Sequence, residues 1–432
     1  MSFEKSRRYS RPVLHPISLP PQSSDSSHDN ARAQIGPQIH GDSWVVTTHT
    51  FLGTTNRVNP TCWPSYRFHD DPAGIPDNDA LHTCYQSESA HSRGPEHEHH
   101  IFDENYQDSD EEVPPPPRFA VKRYAPPKTG EGGLTLVVMP GMHVPTETFE
   151  PMIESILTET HCSGFKIAEI WSVSMPSSGQ TAMVNLPSYL YGNCKDIARD
   201  LLLFLTLYLP LHPGQSLPSQ LPPRKLQPSN IQPARRNLHV LAHSMGAQSA
   251  LLIAAHAPDL FASLTLFDPA IIPPGDIGTA FFKIPKDRLA FGFPFHHQDT
   301  ASLRASLDVN RRTKGWDPRV KQLYAEHGLS PDGKLIAHPR LEWALYYDQE
   351  TALQCFDRLG DVKAPMNFVV PKRPLAVPLG MLEEIVKGLH GRNKLTVLHG
   401  VTHSLCHEKV EECAGVVVGW LMDLRRMREA RL

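Results

Sequence analysis

Apolar positions are distributed unevenly along this chain. Up to about residue 115 they are scattered among Ser, His, Pro and Asp clusters with little periodicity, which predicts a largely disordered N-terminal tail over 1–115. Trp44-Val45-Val46-Thr47-Thr48-His49-Thr50-Phe51 is the exception and has the content of a strand. Asp108-Ser109-Asp110-Glu111-Glu112 followed by Pro114-Pro115-Pro116-Pro117 predicts an acidic, stiff linker. Glu96-His97-Glu98-His99-His100 offers metal-binding groups, but its composition is that of a solvated polar tail.

From Phe119 the texture changes, and a folded domain is expected over 116–429. Phe119 to Tyr124 alternates like an edge strand, and Leu134 to Met139 is a continuous apolar run, as in a strand buried on both faces. Thr148 to Leu157 predicts a helix, and Lys166 to Val173 a strand. Ile197, Leu201, Leu202 and Leu205 have helical spacing within Lys195 to Tyr208. Residues 209–234 are Pro-rich and predict a surface insertion. Strands are then expected at Asn237 to Ala242, Leu264 to Phe267, Met366 to Val370 and Leu395 to Leu398. A helix should follow the first of these over Gly246 to His256, and another should close the domain over Glu408 to Met427. This alternation predicts an α/β fold, with a mainly parallel sheet covered on both faces. The long, aromatic stretch 272–362 falls between two late strands and predicts a helical cap. Its Phe281, Phe282, Phe291, Phe293 and Phe295 would either line an apolar pocket or form the cap's own core, which is the commoner outcome.

Composition narrows the class. Lys plus Arg is 42 and Asp plus Glu is 46, a net charge of −4, which gives no electrostatic case for nucleic acid. The seven cysteines are scattered without a C-x-x-C pair, which predicts reduced thiols rather than a disulfide framework. The N-terminal residues lack the apolar core of a secretory signal, and no apolar run is long enough for a transmembrane segment. Ala430-Arg431-Leu432 is a small–basic–leucine variant of the peroxisomal address, so a peroxisomal import receptor is an expected partner.

One segment carries the chemistry. Leu238-His239-Val240-Leu241-Ala242 is an apolar run that ends at a small residue. His243-Ser244-Met245-Gly246 and an Ala/Leu-rich helical run follow. This is the pattern of a nucleophile elbow, a sharp strand-to-helix turn that lifts a serine hydroxyl above a sheet. The hydroxyl needs a positioned base. His403 is the choice, in a loop between the last strand and the last helix; His399 and His407 are close rivals. Asp268 stands at the end of the strand after the elbow, where it would orient the base; a turn-capping Asp before Pro269 is the plainer alternative. No acid follows the Met366 to Val370 strand until Glu383. The order Ser244, Asp268, His403 is the usual one for such triads in α/β proteins. The backbone N–H groups of Met245 and of Met142, in Pro140-Gly141-Met142-His143, are the expected oxyanion donors.

Several segments together resemble the fungal peroxisomal α/β-hydrolases and the hydrolases of host-selective toxin biosynthesis. They are Pro140 to His143 with Glu147 and Glu150-Pro151; Asp196 to Leu201; Ala242 to Gly246 with Asp259-Leu260-Phe261 and Asp268-Pro269; Trp316-Asp317-Pro318-Arg319-Val320; and Gly400 to His403 with Glu408-Lys409-Val410. The resemblance runs from Phe119 to Met422. It implies an α/β-hydrolase fold and a serine hydrolase of acyl esters or thioesters, with a small-molecule acyl substrate and a place in peroxisomal lipid or fungal secondary metabolism. No metal or organic cofactor is called for. Ala242 and Thr402 depart from the glycines usual in that group, and Asp196, Arg199 and Asp200 are expected to be capping and packing groups. An acyltransferase or acyl-CoA thioesterase on the same triad, and a non-catalytic binding protein that kept the fold, are the alternatives.

Overall fold

The computed structural model describes residues 34–35, 44–54 and 117–430, apart from 128–131, 165, 177, 186–193, 215, 225–235, 279–293, 338 and 347. The histidine-rich run at 96–100, the acidic and Pro-rich linker up to Pro116, four of the five cap phenylalanines and the last two residues lie outside the described residues.

Among the described residues nine strands form one sheet: β1 (Gln34–Ile35), β2 (Val45–Leu52), β3 (Arg118–Ala125), β4 (Leu134–Met139), β5 (Ile167–Val173), β6 (Leu238–His243), β7 (Ser263–Phe267), β8 (Met366–Pro371) and β9 (Lys394–Leu398). Their order is β1-β2-β3-β5-β4-β6-β7-β8-β9. The pairs from β5 through β9 are parallel, and those among β1, β2, β3 and β5 are antiparallel. Alternate residues of β4 explain its unbroken apolar run. Val137 and Met139 enter one core with Ala198 and Leu201 of helix α3 (Cys194–Leu203) and Leu251 of α4 (Ser244–His256). Leu136 and Val138 enter the other, with Ile153 and Ile156 of α1 (Glu150–Ser163) and Val417 and Leu421 of α11 (Val410–Glu429). Such a strand has no polar face because neither face meets water.

The Trp44 to Phe51 run is strand β2, and its position corrects one expectation. β3 is not an edge strand: β2 pairs along its whole length on one side and β5 on the other. The polar residues of β3 suggested a solvent-facing side, but they are neutralised inside. Lys122 lies 2.9 Å from Glu147 and 3.1 Å from Glu150, and Arg123 lies 3.2 Å from Glu169. The described part of the Pro-rich insertion runs along the far side of β2, with Thr50 donating to the Ser219 carbonyl and Leu221 to the Thr50 carbonyl. Helix α3 continues into a π-helical turn, Phe204–Tyr208, whose Phe204 and Tyr208 rings pack on Phe51.

Between β7 and β8 the described residues form four α-helices: α5 (Thr300–Val309), α6 (Pro318–His327), α7 (Pro339–Leu345) and α8 (Gln349–Asp357). Asp299 caps α5 and Asp317 caps α6, each side chain accepting a backbone N–H. Leu303 and Leu307 pack with Ala325 and Leu335, and Phe295 is half-buried against this cluster, so it serves as cap core. Val320 of α6 joins the core of α1 and α11, which seats the cap on the body at the carboxyl end of β4.

Candidate active site

The elbow follows from local sterics. Ser244 follows β6 directly and opens α4 with φ of +53°, a left-handed conformation that costs a non-glycine residue roughly 1–3 kcal/mol. The turn is tolerated because its neighbours are small. A Cβ on Gly246 would lie 2.2 Å from the Met139 carbonyl oxygen and 2.3 Å from that of Pro140. Among the described residues only three non-glycine residues adopt a left-handed φ: His143 at +56°, Ser244 at +53° and Asp268 at +38°. All three stand at carboxyl ends of adjoining strands, the side on which catalytic groups of such sheets gather.

Ser244, Asp268 and His403 form one hydrogen-bonded chain. His403 Nδ1 is 2.7 Å from Asp268 Oδ2, and His403 Nε2 is 2.9 Å from Ser244 Oγ. The carboxylate only accepts, so Nδ1 carries the proton and Nε2 presents a lone pair to the serine hydroxyl. Asp268 is 2% exposed, and the Leu375 N–H donates to it at 3.1 Å. His403 keeps 27% of its side chain exposed, so the chain runs from a buried acid to an accessible hydroxyl. The rivals fall elsewhere. His399 is exposed. His407 is buried beneath the site, its Nε2 3.3 Å from Thr148 Oγ1, and burial holds its pKa at about 3.

The loop Gly141–Val144 passes over Ser244. A Cβ on Gly141 would meet His243 Nδ1 at 2.7 Å and Ser244 Cβ at 3.5 Å, so only glycine allows this approach. Met142 follows it and Met245 follows Ser244. Both chosen donors therefore lie in the two segments that flank the hydroxyl. The base loop is tied from two sides. Thr402 donates its N–H and its hydroxyl to the Glu408 carboxylate, at 2.6 and 2.5 Å, and the His243 ring donates to the His403 carbonyl at 2.9 Å. The Trp316 to Val320 motif binds the cap to the same region. Trp316 packs on His407 with ring centroids 4.9 Å apart, Asp317 donates its N–H to the His407 carbonyl, and Arg319 reaches Glu411.

Asp196, Arg199 and Asp200 are buried on α3. Asp200 accepts from the N–H and hydroxyl of Thr54, and Arg199 lies 3.5 Å from Asp196, which are packing roles. Among the described residues one trio, His243, Cys406 and His407, brings potential metal-ligating atoms within 4.8 Å of one another. Each ring spends one nitrogen elsewhere, His243 Nε2 on the His403 carbonyl and His407 Nε2 beside Thr148 Oγ1, and all three residues are buried under the His403 loop. Sequence reasoning missed two site residues. The Leu375 contribution is a backbone N–H, which leaves no side-chain signal. His143 shows in the sequence only as a histidine directly after Met142; its burial and its contact with Glu342 exist only in the fold.

No family model matches the chain. The peroxisomal alpha-beta-hydrolase Lpx1 of Saccharomyces cerevisiae superposes with a TM-score of 0.58 at 16% identity, covering 71% of this chain and 82% of that one. The chain has the α/β-hydrolase fold. In sequence, the type I acyl-CoA thioesterase mpaH of Penicillium roqueforti is 27% identical over 263 residues, 59% of this chain and 52% of the relative. The mpaH' thioesterase of Penicillium brevicompactum is 26% identical over 264 residues, with the same shares. The chain thus spans about half the length of the curated relatives it matches. These similarities are to fungal hydrolases, as the motifs from Pro140 to Val410 imply. No helix among the described residues is long and apolar enough to cross a membrane.

Proposed function

We propose that this α/β-hydrolase fold carries a serine hydrolase that cleaves acyl esters or thioesters through an acyl-enzyme. The observation that carries the proposal is the chain Ser244 Oγ, His403, Asp268, with bonds of 2.9 and 2.7 Å. Ser244 Oγ attacks the acyl carbon while its proton passes to His403 Nε2. Asp268 holds the ring's orientation and stabilises the imidazolium. The Met142 and Met245 N–H groups receive the oxyanion. Collapse breaks the C–O or C–S bond, and His403 returns the proton to the leaving alcohol or thiol. Water then attacks the acyl-enzyme with His403 again as base, and Ser244 is regenerated.

The thioester reading is favoured by the names of the sequence relatives, which are acyl-CoA thioesterases. Fluorophosphonate labelling with mass spectrometry tests the hydrolase: the label should sit on Ser244 and vanish in Ser244→Ala. A wild-type protein that takes no label would instead be a binding protein. Parallel assays with simple esters and acyl-CoA substrates then separate esterase from thioesterase, and added acceptor alcohols expose an acyltransferase. Peroxisomal placement through Ala430-Arg431-Leu432 belongs to the same proposal. A fluorescent fusion should enter peroxisomes with the tripeptide in place and stay outside without it.

A further inference from the structure

His143 is the third strained residue of the site, and the triad gives it no task. It follows Met142, is 4% exposed, and neither ring nitrogen has a hydrogen-bond partner among the described residues. A buried polar ring without partners and a left-handed backbone are each costly, so both persist only where the surroundings enforce them. The surroundings here belong to the cap. His143 Nδ1 faces Glu342 Oε2 of α7 at 3.7 Å. Glu342 is in turn fixed: the Tyr346 hydroxyl donates to its Oε1 at 2.9 Å, and Arg312 lies 3.5 Å from the same oxygen. Four residues on, the pairing is reversed. Glu147 of the body, held by Lys122 at 2.9 Å, faces His327 at the end of α6 at 3.6 Å. Two histidine–carboxylate pairs, one histidine from the body and one from the cap, thus join the segment from His143 to Glu147, at the end of the loop over Ser244, to the cap.

We infer that His143 is a positioning residue through which the cap, by Glu342, sets the oxyanion loop. The inference rests on the hydrolase reading above. The cap would then shape the catalytic machinery as well as the substrate pocket, because the turn at His143 fixes the course of the loop carrying the Met142 N–H. Misplacing such a donor by a fraction of an ångström weakens transition-state stabilisation without weakening substrate binding.

Full-length Glu342→Gln and His143→Asn proteins test it; asparagine tolerates a left-handed φ and removes the ring. Each should lower kcat about tenfold with KM within about twofold, and each should slow fluorophosphonate labelling of Ser244 to a similar degree. The double variant should lose little more than either single one, since both break the same contact. Rates within twofold of wild type, a rise in KM at constant kcat, or losses that multiply in the double variant would each overturn the inference. Thermal midpoints are measured alongside. A variant that melts early yet labels at the wild-type rate marks a purely structural pair and also overturns it. Failure of the hydrolase reading looks different, because the wild type itself then takes no label.

Discussion

The ring of His243 donates a hydrogen bond to the backbone carbonyl of His403 at 2.9 Å, so the residue before Ser244 holds the His403 loop. Burial and the nearby His403 and His407 keep the His243 pKa well below its ordinary value, and the ring stays neutral with its Nε2 proton on that carbonyl. His243→Phe keeps an aromatic ring and deletes the donor. It should lower kcat about tenfold and cost about 1–3 kcal/mol for the carbonyl left unpaired. Steady-state kinetics and urea denaturation measure the two effects.

Asp268→Asn should lower kcat by about 10⁴, the loss that this change brings to serine proteases through the wrong imidazole tautomer. KM should barely move, because the residue is buried behind the ring. Stopped-flow measurement of acyl-enzyme formation would show the loss in the acylation step itself.

Two glycine-to-alanine changes should have opposite signs. Gly246→Ala drives a methyl group into two backbone carbonyls at 2.2 and 2.3 Å and should destabilise by more than about 3 kcal/mol. Gly419→Ala, in the middle of α11 with open space around the new carbon, should stabilise by about 0.5–1 kcal/mol. Thermal melts of both proteins decide the matter.

Stability should fall as the medium is acidified below about pH 6.5. Burial lowers the pKa of His407 to about 3 and those of His49 and His239 to about 4. Below the ordinary histidine pKa the unfolded chain binds protons that the folded one refuses, so each such ring costs about 1.4 kcal/mol per pH unit until its folded pKa is reached. The contribution is intact above pH 6.5 and lost progressively towards pH 4. Denaturation midpoints at pH 7, 6, 5 and 4 should trace this slope, and His239→Asn should make it shallower.

The elbow was legible because its constraints are local: Ala242, Ser244 and Gly246 must be small or nucleophilic within one turn, whatever the rest of the chain does. Asp268 and His403 were legible because strand ends can be counted along an alternating pattern. Interior ion pairs were not. Lys122 and Arg123 look like solvent-facing residues until Glu147, Glu150 and Glu169, distant in sequence, are brought beside them. The π-helical turn at Phe204–Tyr208 has no compositional mark that separates it from ordinary helix. Nor can a sequence reveal that Leu375 lends its N–H to Asp268, since every residue but proline has one to lend.

Strand β2 has a practical consequence for anyone shortening the protein. A truncation at Pro117 looks natural, because the acidic and proline-rich stretch ends there. It would strip away the neighbour of β3 over eight consecutive positions and lay Phe119 bare where Phe51 now stacks on it. Bare ladders recruit other chains. Such a fragment would keep every triad residue and still precipitate.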